Sequence, residues 1–186
     1  MKTINLILVF SAFFLLYSCD SNPNRQDSAE AAEQRNEERL ANNDDLEDDS
    51  EFVVEAASGS MMKVELGKIA AERANSPQVK NFAQKIANDH SKANERLKTI
   101  AQRKNIALPA SLPNEHQRKV ENLREKSGSE FDKEYMDLMV EDHEDDVDKF
   151  EKAADDLNDN ELRVWASETL PTLRQHKEEA KKSTTI

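Results

Sequence analysis

Residues 77–104 read PQVKNFAQKIANDHSKANERLKTIAQRK. Val79, Phe82, Ile86, Ala93, Leu97 and Ile100 recur at the three- and four-residue steps of one helix face. His90 lies on that same stripe, between Ile86 and Ala93 and directly after Asp89. Ser76 is suited to cap the start, and Pro77 suits the first helical position, where a missing N–H costs nothing. The pattern stops near Lys104, because Asn105–Asn114 holds Pro109 and Pro113 and must be loop. So long an amphipathic helix is stable only if other elements cover its apolar face.

Three further long helices are predicted. One runs from about Ser50 to Asn75, striped by Phe52, Ala56, Met62, Leu66, Ile69 and Ala70. A second covers Ser129–Leu157 with Phe131, Tyr135, Met139, Val147, Phe150 and Ala154 inward. The last starts at Asn158, which with Glu161 has capping-box spacing, and carries Leu162, Trp165, Thr169, Leu173 and Ala180. Pro171 falls inside it and predicts a kink with a freed carbonyl near Ser167. A shorter helix, Asn114–Lys126, bears His116, Val120 and Leu123, and Ser127-Gly128-Ser129 ends it, with Ser129 as the next cap.

These elements predict an all-α chain, a ferritin-like four-helix bundle with an extra short helix in the crossover between its second and third long helices. The connecting loop and helix reach on the order of 50 Å, more than the ~40 Å length of a bundle helix. The crossover is therefore long enough to run the full length of the bundle.

All four histidines fall on apolar stripes: His90, His143 between Met139 and Val147, His176 between Leu173 and Ala180, and His116 on the short helix. A partial repeat links two of them. Phe82-x3-Ile86-x2-Asp89-His90-x6-Leu97 matches Tyr135-x3-Met139-x2-Asp142-His143-x6-Phe150 at an offset of 53 residues. His90 and His143 sit near the middle of their helices and His176 somewhat past it; the three are expected to meet in one layer, with His116 outside it. Buried imidazoles need partners. One reading is a mononuclear metal site for zinc, copper or iron, with Glu65 of the first long helix as fourth ligand. The other is a structural polar network involving Asp89, Asp142, Tyr135, water or the carbonyl freed by Pro171. A carboxylate-rich di-iron site is disfavoured, because it needs Glu-x-x-His. Here Ala87, Val140, Leu173 and Pro113 stand three before the histidines.

Other residues read mainly as structure. Met61, Met62, Met136 and Met139 suit core filling better than copper ligation, and Trp165 is a packing residue with a polar tip. The acidic run Glu141–Asp146 reads as a solvated face, with weak divalent-cation binding as its alternative. Three glycines leave no phosphate-cradling loop, and no nucleophile motif occurs.

Near the start, Lys2 precedes an apolar run, Ile4–Tyr17, too short to span a bilayer. It ends in Leu16-Tyr17-Ser18-Cys19, which resembles the lipobox of bacterial lipoproteins, and Cys19 is the only cysteine. The resemblance implies cleavage after Ser18, lipidation of Cys19 and export. The protein would be held on a bacterial membrane, at the periplasmic face or in the outer membrane, by more than one acyl chain. The expected organisation is thus signal peptide 1–18, lipidated cysteine with an acidic disordered tether 19–50, and helical domain 51–183. Residues 20–51 carry −9 of the chain's net −12, with few large apolar side chains to offset ordering. No basic face exists for nucleic acid.

A set of segments completes the reading: Phe52-Val53-x2-Ala56-Ala57, Glu65-Leu66-Gly67, Asn81-Phe82-Ala83, Asp89-His90, Phe131-Asp132-x2-Tyr135, the Met139–His143 step, and Leu170-Pro171-x-Leu173-x2-His176. Together they resemble the bacterial family of domain of unknown function 4142, exported ferritin-like helical bundles often labelled outer-membrane proteins. The resemblance covers about 52–180 and implies fold and location, since the family carries no established activity. Two functions stay open. One is a lipid-anchored envelope protein whose bundle is a non-enzymatic interaction or stress-related module with an envelope protein partner. The other is a metal-binding bundle.

Overall fold

Two aspartates decide how the helices are joined. The structure, a computed structural model, describes residues 26–184. Among them are six helices and no strand: α1 (Ser28–Leu40), α2 (Asp44–Arg73), α3 (Pro77–Lys104), α4 (Asn114–Arg124), α5 (Gly128–Asp156) and α6 (Asn160–Thr184). At the α2–α3 turn the Asp132 carboxylate of α5 accepts the N–H groups of Asn75 at 2.8 Å and Ser76 at 2.7 Å. At the α5–α6 turn Asp49 of α2 accepts those of Asn158 at 2.9 Å and Asp159 at 2.7 Å. Each tight turn is satisfied by a carboxylate from the other hairpin, which locks the two hairpins in register.

α2 packs along α3 and α5 along α6, and the hairpins meet where α3 faces α6 and α2 faces α5. Lys104 reaches Asp159 at one end, and Arg73 donates to the carbonyls of Arg124 and Lys126 at the other. Residues 105–127 therefore travel from one end to the other, and α3 and α5 run in the same direction. On the way α4 packs against α2 and α5. Gly67 lets α2 approach α3 closely: a Cβ there would lie 2.8 Å from the Ala83 carbonyl.

The core has two apolar parts. One gathers Val53, Leu97, Phe150, Leu162, Trp165 and Leu173, with Phe52, Phe150 and Trp165 in aromatic contact. The other gathers Met62, Leu66, Phe82, Ile86, Phe131 and Met139.

Several expectations need correction. Residues 28–50, expected within a disordered tether, form α1 and the first turns of α2, so the domain begins near Asp27 rather than at 51. Ala32, Asn36 and Leu40 make a narrow buried stripe whose central member is polar. Asn36 pairs with both the N–H and the carbonyl of Ala107, at 2.6 and 3.1 Å, so it belongs inside although hydropathy places it outside. Asp27 caps α1 through Ala29 and also accepts the N–H of Asn114 at 2.7 Å. The Asn158 capping box is replaced by Asp159, which accepts the N–H groups of Glu161 and Leu162, both at 3.0 Å. Ser127, not Ser129, stands at the start of α5, with Gly128 at φ +58°. Ser76 does precede Pro77, but its side chain makes no cap bond. Cys19 and the signal segment lie outside the described residues.

Candidate metal centre

His90 of α3, His143 of α5 and His176 of α6 each interrupt an apolar stripe, and the helix packing brings them to one level. They form the layer that separates the two apolar parts of the core. Their ring centroids are 5.4, 5.6 and 5.3 Å apart, close to an equilateral triangle. Exposure is 4% for His90 and zero for the other two. One nitrogen from each ring lies within 4.8 Å of the others.

The hydrogen bonds assign the tautomers. His143 Nδ1 is 2.7 Å from the Met139 carbonyl, so Nδ1 carries the proton and Nε2 is bare. His90 Nε2 lies 3.2 Å from that bare Nε2 and donates to it. His176 Nε2 is 3.1 Å from Asp89 Oδ2 and donates there, which leaves its Nδ1 buried, bare and without a partner. Burial pulls all three imidazoles below the usual histidine range, His143 to about 3; the Lys63 ammonium and the neighbouring rings assist at His90 and His143, while at His176 the Asp89 carboxylate opposes the fall. The layer is neutral at neutral pH.

Neutral imidazole is the form that binds metal. A metal at ~2.0 Å from tetrahedral nitrogen ligands sets them about 3.3 Å apart. The 3.2 Å between the Nε2 atoms of His90 and His143 matches that edge. Asp89 behind His176 and the Met139 carbonyl behind His143 are the partners that orient ligating histidines in metal sites. All-nitrogen donors suit zinc, copper or iron, not magnesium or calcium.

The structure brings together three of the four residues expected as ligands. Glu65 is absent from the layer: it faces outward and pairs with Arg124 at 2.8 Å. Of the expected polar network, only Asp89 contacts a histidine. Asp142 binds Lys119 at 2.8 Å on the other side of α5, and the Tyr135 hydroxyl is buried without a partner. The His176 partner is Asp89 rather than a carbonyl freed by Pro171. His116 lies outside the layer, as its place on the short helix implied. Sequence reasoning missed Lys63, which is 2% exposed and paired with Asp146 at 2.9 Å. Its signal was weak: a lysine beside Met62 on the stripe edge, answered by one carboxylate of an acidic run.

Comparison with known proteins agrees with this architecture. Residues 29–182 match the family model of a domain of unknown function, DUF4142, and the chain belongs to that family. Among solved structures it is similar to the crystal structure of a DUF305 fragment from Deinococcus radiodurans, with a TM-score of 0.65 at 16% identity. The match spans 74% of this chain and 95% of that one, and at this identity it speaks to fold alone. No curated protein matches the chain.

Proposed function

We propose that this DUF4142 protein is an exported, lipid-anchored bundle that holds one transition-metal ion on His90, His143 and His176. The observation that carries the reading is the orphaned Nδ1 of His176. In a network of the protein's own groups that buried nitrogen is left unsatisfied, at a cost of ~1–3 kcal/mol, whereas a metal ion uses it together with the bare Nε2 of His143. His90 joins by moving its proton from Nε2 to Nδ1. Asp89, the carboxylate that touches the layer, offsets part of the ion's charge.

The full-length crossover, with α3 and α5 running in the same direction, supports a ferritin-like topology. The lipobox-like Leu16–Cys19 supports attachment to a membrane through Cys19, and no described helix is long and apolar enough to cross one. Holding and carrying an ion is the role we assign, rather than turnover.

The test is to purify the full chain in detergent, count bound metals by mass spectrometry, and melt it with and without chelator. Near-stoichiometric zinc, copper or iron with a chelator-sensitive melt is expected. A chain that stays empty after metal is added back, with an unchanged melt, makes the layer scaffolding and overturns the reading. Cys19→Ser is expected to move the protein out of the membrane fraction.

A further inference from the structure

Lys63 is a buried cation beside the histidine layer. It stands on α2, the long helix that sends no histidine inward, and its Nζ lies 2.9 Å from Asp146 Oδ2. Asp146 follows His143 by three residues on α5, about one helical turn, which sets the ion pair next to the layer. The ammonium end of the pair is felt there, adding to burial in holding His90 and His143 neutral.

Two counts limit the ion that the layer can take. The first is of ligands. Among the described residues, three nitrogens converge and no fourth His, Cys, Asp or Glu atom joins them. Apolar core lies on both sides and the rings are closed to solvent, so bulk water does not supply a fourth ligand either. The second count is of charge. The imidazoles carry none, Lys63 and Asp146 cancel, and Asp89 brings one negative charge through its contact with His176. Lys92, 3.6 Å from the other Asp89 oxygen, is mostly exposed and screened by water. A singly charged ion therefore closes the sum at zero. A doubly charged ion leaves a positive charge unbalanced in the core, and Lys63 repels it about twice as strongly.

We infer that the layer is a three-coordinate site for a monovalent ion, cuprous copper, and that Lys63 is the specificity-determining residue that turns divalent ions away. The inference rests on the reading of the layer as a metal centre and names its ion. Cuprous copper accepts imidazole nitrogen and is satisfied by three ligands, whereas Zn²⁺ takes four and ferrous sites add carboxylate. Three nitrogens ~2.0 Å from an ion in their plane stand about 3.5 Å apart, so the 3.2 Å between His90 and His143 opens by about 0.3 Å.

The test titrates the full chain in detergent with Cu⁺, under reductant and without oxygen, and separately with Zn²⁺, each against a chromophoric chelator. Wild type is expected to take one Cu⁺ and to bind Zn²⁺ at least about a thousandfold more weakly. X-ray absorption of the copper-loaded chain should count three nitrogen neighbours and no fourth ligand. The double variant Lys63→Met with Asp146→Asn removes the ion pair without leaving either charge buried alone. It should tighten Zn²⁺ about tenfold but Cu⁺ only about threefold, because the repulsion it lifts scales with ionic charge. If wild type holds Zn²⁺ as tightly as Cu⁺, or copper shows a fourth ligand, the inference falls while the layer remains a metal centre. If neither ion binds, the reading of the layer falls and this one with it. Unchanged Zn²⁺ affinity in the double variant overturns the role given to Lys63.

Discussion

The Asp89-His90 step of α3 and the Asp142-His143 step of α5 are the same dipeptide set in the same apolar frame, but only half of each is used alike. The histidine rings meet edge to face, Nε2 to Nε2 at 3.2 Å, and the matching Phe82 and Tyr135 also pack edge to face, at 6.3 Å. The aspartates part. Asp89 turns to α6 and accepts from His176, whereas Asp142 turns to α4 and accepts from Lys119. The inner position of each step faces the shared core, so the two copies behave alike. The outer position faces a different neighbouring helix in each copy, and that neighbour sets its chemistry.

The strongest way to break this comparison is to remove one of the paired imidazoles. His143→Leu is expected to reduce layer-bound metal to background, a loss beyond the 10–100-fold typical of an outer-shell change. Leucine fills much of the volume but leaves the His90 Nε2–H without its acceptor, so the metal-free chain should be about 1–3 kcal/mol less stable than wild type. His90→Leu should behave the same way. Unchanged metal content in either variant, measured by mass spectrometry, reduces both steps to scaffolding.

Acid tests the two histidines together with His176. The folded chain holds them neutral, with His143 depressed to about 3 from 6.5. Protons therefore bind the unfolded chain first. The stability contributed by neutral burial is complete above about pH 6.5 and declines as pH falls toward 3. For His143 alone the loss over that window is on the order of 4–5 kcal/mol. Urea unfolding of the metal-free chain at several pH values should show this slope, and His143→Leu should flatten it. A stability that stays level from pH 6.5 to 4 contradicts the buried, neutral layer.

The aspartates separate the copies more finely. Asp89→Asn keeps an acceptor for His176 but removes the negative charge, and should weaken metal binding in the layer 10–100-fold. Asp142→Asn should change that affinity by less than about threefold, while costing about 1 kcal/mol at the Lys119 contact. Equal effects on the layer, read by competitive chelator titration, would erase the asymmetry that the structure draws.

Much of this was legible in the chain before any coordinates. Stripe positions placed the four long helices and the short one within a few residues, except that α2 begins at Asp44 rather than near Ser50, because period is a property of the backbone. They also placed three histidines at one level. Direction around the helix was less legible. Glu65 borders its stripe by count, but the α2–α4 contact turns it to Arg124, a pairing nothing in the spacing announces. Likewise α1 was hidden because its buried stripe is completed by Asn36, a residue whose burial makes sense only beside the Ala107 backbone. Polar groups that are buried because a distant partner satisfies them leave no periodic trace.

At the first position of the repeat the two copies differ by a single oxygen. Phe82 and Tyr135 occupy equivalent positions, both buried, but the Tyr135 hydroxyl has no hydrogen-bond partner and zero exposure. Burial alone drives its proton affinity far up, so it remains a neutral O–H in an apolar wall. An orphaned hydroxyl there costs rather than contributes, because water would have bonded it in the unfolded chain. Tyr135→Phe makes the copies identical at this position and deletes that penalty, leaving a void smaller than a methyl group. The expected result is a gain of up to about 1 kcal/mol with metal content unchanged. A loss of stability on thermal or urea unfolding would mean that the hydroxyl meets a buried water or a ligand in the layer above it. Tyr135 would then belong with the histidines rather than with its counterpart Phe82.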